Sequence, residues 1–157
     1  MKYILLFLLA FSQFSFAFDG GYPKTPDHNL TPGSFCTNPT ELRYPERIKY
    51  CRRNVSQQDK LDVFDDYRDK LGFTLPGKRA DYKIDHFIPL CAGGSNSKNN
   101  LWPQHHSVYE VTDPMEGLGC EKLSLGKISQ KALIQKLKAA KYDHSLVPGT
   151  LQFLNAL

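Results

Sequence analysis

The chain is predicted to be an α+β domain in which a short hairpin lies against flanking helices, behind an extended N-terminal arm held down by two disulfides. Three observations predict this class. Two β-type segments, "YKIDHFIPL" and "LWP", bracket the loop "CAGGSNSKNN". Helical patterns stand before and after that unit instead of alternating with many strands, which argues against a parallel α/β sheet. The cysteines Cys36, Cys51, Cys91 and Cys120 all follow a leader-like N-terminus, and an even number of exported cysteines favours a disulfide framework.

The elements come in order. "MKYILLFLLAFSQFSFAF" has Lys2, then an apolar run from Ile4 to Phe11, then Ser15-Phe16-Ala17. A charged start, a short apolar stretch and a small-x-small site make a signal peptide over residues 1–17, and the run falls short of the roughly 20 residues of a membrane span. Residues 18–55 form the arm: Gly, Pro, Thr and Asn dominate residues 19–45, where no apolar period appears. Four cysteines allow three pairings. Cys36 with Cys51 and Cys91 with Cys120 closes the shorter loops and is the expected one. No pair has the C-x-x-C spacing of a tetrathiolate zinc site.

Residues 56–157 form the domain proper, with its core at 81–125. Ser56 and Asp59 make a capping box, and Val63, Phe64, Tyr67 and Leu71 come at helical spacing up to Gly72. "FTLPGKRA" is a turn region before the first strand. Asp113 followed by Pro114 and Glu116 predicts a helix over residues 114–125, with Asp113 as cap and Glu116 returning to it, closed by Gly126. Ser129 opens a last helix with Ala132, Leu133, Leu137 and Ala140 on one face and lysines on the other.

The formal charge is +4. Its distribution is more informative than its size. Arg43, Arg47, Lys49, Arg52 and Arg53 crowd one segment, and Lys122, Lys127, Lys131, Lys136, Lys138 and Lys141 another. Such clusters form either a phosphate-facing surface or solvated helix faces.

Within the hairpin, Asp85 and His86 are adjacent. Hydrolysis of a phosphodiester needs a base for water and a cation for the phosphate charge; imidazole suits the first and a carboxylate ligand the second. Neighbours on a strand point to opposite faces unless a twist or bulge redirects one of them.

"IDHFIPLCAGGSNSKNNLWPQ" resembles the signature of secreted HNH endonucleases of the ββα-metal superfamily, through Asp85, His86, Pro89, Gly93, Gly94, Asn100 and Leu101, with Trp102-Pro103 as in one subgroup. The match covers residues 81–104. The resemblance implies Asp85 as metal ligand, His86 as general base, and Asn100 as the residue that fixes the hairpin and orients His86. The last ligand stays open among His105, His106, Glu110 and Glu116. A ββα helix must cross the hairpin with its first turns facing the Asp-His pair, and a Cys91–Cys120 bond would pin it there, which favours Glu116 with His105 or His106 next. The plainer alternative makes Glu116 only a capping acid. Trp102 is read as core beneath the helix.

The resemblance further implies an exported endonuclease that hydrolyses DNA or RNA with low sequence specificity, using one divalent cation. Mg²⁺ or Mn²⁺ suits oxygen ligands, and Zn²⁺ or Ni²⁺ would suit a histidine. Arg52, Arg53, Lys83 and Lys98 would grip the nucleic-acid backbone. A monomer, secreted or periplasmic and without membrane association after cleavage, is expected. Two alternatives share the hairpin: a secreted nucleic-acid-binding module that does not cut, and a nuclease toxin or effector.

Overall fold

Ser56 starts the first helix as its sequence predicts. Its hydroxyl accepts from Asp59 N at 3.0 Å, and the Asp59 carboxylate accepts from Ser56 N at 2.9 Å, the reciprocal pair of a capping box. Helix α1 runs Gln57–Leu71 and ends at Gly72 in the left-handed conformation, with Val63, Phe64 and Tyr67 buried. The computed structural model describes residues 21–157; the expected signal peptide lies outside them. The described residues form an α+β fold with four α-helices and two antiparallel hairpins.

The first hairpin is a correction to the arm. Strands β1 (Glu41–Arg43) and β2 (Ile48–Tyr50) pair where extended chain is expected. The turn between them uses positive φ at Tyr44 and Arg47, residue types that give no turn signal. Cys36 bonds to Cys51 and Cys91 to Cys120, as the loop lengths predict. The arm then adheres to the Gly-Gly loop: Cys36 N donates to Gly93 O at 2.8 Å and Ser95 N to Ser34 O at 3.0 Å. This places Arg52 and Arg53 against the second hairpin.

That hairpin is β3 (Tyr82–His86) with β4 (Leu101–His105), in one-for-one register from Tyr82↔His105 to His86↔Leu101. There is no bulge at Asp85 or His86. Their side chains therefore leave opposite faces of the strand. The loop between the strands depends on close backbone approach: a Cβ on Gly94 would lie 1.9 Å from Ile88 O, and Gly93 has φ +84°.

Helix α2 (His106–Ser124) starts eight residues earlier than Asp113-Pro114 predicts. An interior proline costs a helix roughly 3 kcal/mol because it removes an N–H and crowds the preceding turn. Here Val108, Thr112, Met115, Gly119 and Leu123 are buried at helical spacing across Pro114, and this stripe outweighs the local signal. Asp113 is therefore no cap; the N-cap is His105, whose side chain accepts from Ser107 N.

Ser129 caps α3 (Gln130–Tyr142) by accepting from Ala132 N. Helix α4 (Val147–Asn155), absent from the predicted elements, comes next with a proline in its first turn. One apolar cluster joins Met115, Leu123, Leu133, Leu137 and Leu154. A second joins Val63, Tyr67, Ile84, Phe87 and Trp102, with Trp102 fully buried as expected. The second hairpin thus sits between α1 on one side and α2 and α3 on the other.

Candidate active site

Asp85 leaves β3 toward α2 and α3. There it meets Asp113 and Glu116, one turn apart along α2, and one oxygen from each of the three carboxylates lies within 4.8 Å of the others. Three acids so close repel one another unless cations balance them. Two lysines do so. Lys83, two residues before Asp85 and on the same strand face, bonds both Asp113 oxygens at 2.6 and 2.7 Å and stands 3.4 Å from Asp85 Oδ1. Lys141 of α3 is wholly buried; its ammonium donates to His86 O at 2.6 Å, Phe87 O at 3.2 Å and Asp85 Oδ2 at 3.3 Å, and pairs with Glu116 Oε1 at 2.6 Å.

This corrects the expectation that the lysines of α3 all face solvent. Lys141 follows Leu137 by four residues and Ile134 by seven, so helical spacing puts it on the buried stripe. Its long stem carries the charge through the core to the carbonyls at the end of β3.

Burial and the lysines together set the acids' protonation. Burial would raise the Asp85 pKa, but the fields of Lys141 and Lys83 outweigh it and hold that carboxyl below its ordinary value. Glu116 is pushed up to about 7 by burial, against the pull of Lys141 and with the added repulsion of Asp85. For Lys141, burial favours the neutral amine, yet Glu116 and Asp85 more than offset it and raise its pKa.

His86 leaves the opposite face, toward the arm and the loop. It is 4% exposed. Arg53 Nη1 lies 3.2 Å from His86 Nδ1, while Nη2 donates to Ile84 O at 2.8 Å. Asn96 Oδ1 lies 3.1 Å from His86 Nε2. The directions of these bonds are fixed by their partners. Asn96 Nδ2 donates to the Arg52 carbonyl at 2.9 Å and its Oδ1 accepts from Asn54 N at 3.2 Å, so the oxygen faces the ring. A guanidinium only donates. His86 is therefore neutral, with its proton on Nε2 given to Asn96 and its lone pair on Nδ1 under Arg53. Burial lowers its pKa to about 4; the Asn96 bond works the other way, the Arg53 charge with burial.

The residue that orients His86 is thus Asn96, not Asn100. Asn100 is wholly buried and holds the loop: Oδ1 accepts from Ile88 N at 2.9 Å, and Nδ2 donates to Ile88 O at 3.0 Å and Ser95 O at 2.9 Å. Its hairpin-fixing part stands; the contact with the ring does not. Asn96 sits in the middle of a polar loop whose composition singles out no one residue, so only the loop's path identifies it.

The other expected site residues divide. Glu116 joins Asp85, as does Asp113, which its sequence context presents as a helix cap. His105 does not; it lies at the far end of the hairpin opposite Tyr82, its Nδ1 2.9 Å from Ser107 Oγ and its ring stacked on Tyr22 at 3.9 Å. His106 and Glu110 face each other on the exposed side of α2, 3.6 Å apart. Arg53 contacts His86, while Arg52 accepts from Asn96 through its carbonyl and lines the adjoining cavity. Lys83 bonds the carboxylates, and Lys98 pairs with Asp62 of α1 at 3.3 Å. Among the described residues no helix is long and apolar enough to cross a membrane. Two disulfides suit an oxidising compartment.

Comparison of the chain with family models, with curated proteins and with solved structures finds no match.

Proposed function

We propose that the chain is an exported, metal-dependent endonuclease of the HNH type, acting on DNA or RNA with low sequence specificity. The observation that carries this reading is the gathering of Asp85, Asp113 and Glu116 on one face of the end of β3, with a neutral, oriented His86 next in sequence on the other face. A carboxylate set is a hard oxygen site and fits Mg²⁺ or Mn²⁺. Zn²⁺ or Ni²⁺ would call for a histidine ligand, and His105 stands too far along the hairpin to serve as one.

Asp85, Asp113 and Glu116 would hold the ion, with Lys141 keeping the two inner acids in place from behind. A divalent cation there supplies Lewis-acid stabilisation of charge on the phosphate and the departing 3′ oxygen. His86 Nδ1 takes the proton from the attacking water, and Asn96 steadies the imidazolium that results through Nε2. Arg52 and Arg53 hold backbone phosphates and read no bases, so binding weakens with salt. The N-terminal sequence and the disulfides support export to the periplasm or beyond.

The test is cleavage of supercoiled plasmid by the mature chain with Mg²⁺, Mn²⁺, Zn²⁺ or Ni²⁺, with and without EDTA. Nicking that needs Mg²⁺ or Mn²⁺ and disappears in His86→Ala is the expected outcome. One observation favours a second reading, a nucleic-acid-binding module that does not cut: Lys83 and Lys141 already balance the three acids. Retarded migration of DNA without cleavage, in every metal, would replace the first reading with the second.

A further inference from the structure

A general base must present a lone pair to water, and a neutral imidazole has only one. In His86 that lone pair, on Nδ1, faces Arg53 at 3.2 Å, and the ring is 4% exposed. The base is closed. What closes it is itself open to solvent: Arg53 is an exposed side chain. It lines a cavity of about 390 Å³ together with Thr40, Arg52, Asn54 and Asn96. The cavity therefore adjoins the base through one guanidinium, carries a second beside it, and has no acidic side chain in its lining.

We infer that this cavity seats a backbone phosphate of the nucleic acid, and that Arg53 passes from His86 to that phosphate, so that the substrate uncovers the base that will act on it. A phosphate offers the guanidinium two anionic oxygens in fork geometry, whereas in the closed state the guanidinium has two neutral acceptors, the ring nitrogen at 3.2 Å and the Ile84 carbonyl at 2.8 Å. The guanidinium is charged in both states; the phosphate adds the opposite charge in a planar bidentate match that the two neutral acceptors lack, so the exchange runs toward the phosphate. No covalent bond changes. Asn96 keeps the Nε2 proton throughout, because its own orientation is set by the Arg52 carbonyl and Asn54 N–H, not by Arg53. Arg53 is thus a positioning residue for the base and a contact for the substrate in turn. The inference rests on the reading of His86 as base, but its experiment does not depend on cleavage.

The test is nitrogen-15 spectroscopy of the histidine rings in the mature chain, held in EDTA so that nothing is cut. Free protein is expected to show His86 with the proton on Nε2 and a hydrogen-bonded Nδ1. Saturation with a short duplex should move Nδ1 to the position of a free lone pair. Arg53→Ala should show that position without any duplex and bind the duplex about tenfold more weakly. Arg52→Ala, which leaves the contact with the ring intact, should keep the free-protein spectrum and lose about the same affinity. A proton on Nδ1, an unchanged Nδ1 in Arg53→Ala, or an Nδ1 signal that saturation with duplex leaves in place would each overturn the inference. Inorganic phosphate should produce the shift only at far higher concentration than the duplex; the reverse order would make the seat one for the free ion and overturn the nucleic-acid assignment. Undiminished plasmid nicking by His86→Ala would refute the base while leaving the Arg53 exchange standing, so the two failures are distinguishable.

Discussion

The two faces of strand β3 meet opposite solutions to the problem of a polar group near a core. On the Asp85 face, the two inner acids, Asp85 and Glu116, are balanced from within by an ammonium that never meets solvent, and the exposed Asp113 by Lys83. On the His86 face, the ring is kept neutral and covered from without, by an exposed arginine and a loop amide. The first face ties β3 to α2 and α3 through its ion pairs. The second is adjustable because its cover can leave. The proposed nuclease would use both, one face to hold a cation and the other to admit a phosphate.

The contrast can be broken most severely at Lys141. Lys141→Ala would leave two buried acids without their shared partner, and loss of one side of a buried ion pair costs about 3–5 kcal/mol. Urea unfolding should show that loss, whereas Lys83→Ala, which removes a partly exposed partner of the same acid cluster, should stay within about 1 kcal/mol. Equal losses would erase the distinction between the inner and outer cation.

Next is the base. His86→Ala should lower the cleavage rate by about 10²–10⁴-fold with little change in far-ultraviolet dichroism. Asn100→Ala should affect stability more than chemistry: it leaves Ile88 N unsatisfied, at about 1–3 kcal/mol. Asn96→Ala should slow cleavage by about tenfold through the loss of the orienting bond, and also cost about 1–3 kcal/mol because it leaves the buried His86 Nε2 proton unsatisfied. If the two asparagines gave the same profile, the assignment of orientation to Asn96 would fail.

The last effect is on pH. The folded pKa of His86 is depressed to about 4, below its unfolded value, so the ring keeps its lone pair down to that range. Falling pH protonates the unfolded chain first, so this group's contribution to stability is present above about 6.5 and shrinks toward pH 4. Urea midpoints of wild type and His86→Ala should accordingly converge as pH falls from 7 to 4. A gap that widens over the same range would contradict the depressed value.

Local signals make part of this structure legible. Ser56 with Asp59, Ser129 and Gly72 each determine an outcome within a few residues, the cysteine spacings set pairings over 15 and 29 residues, and the structure obeys them. The Gly-Gly loop is legible for a similar reason, since no side chain fits at Gly94. Where expectation and structure part, a distant contact overrules a local one. Asp113-Pro114 has every mark of a helix start, but the apolar stripe from Val108 to Leu123 runs through it. The same local mark hides Asp113 as a candidate ligand. Composition hides Lys141, because one lysine among many on a basic helix passes for solvated surface until its register with Leu137 is counted. Asn96 and the partnership of Arg53 with His86 depend on the path of the arm across the loop, and no pattern within either segment encodes that path.

The most direct test of an HNH-type nuclease is single-turnover cleavage of a 5′-labelled duplex by the chain starting at residue 18, in Mn²⁺, with His86→Ala and EDTA as controls. The expected result is a set of distributed cuts that leave 5′-phosphate and 3′-hydroxyl ends, abolished by EDTA and reduced by about 10²–10⁴-fold in the variant. An intact duplex with wild type, or equal cleavage by His86→Ala, would contradict it.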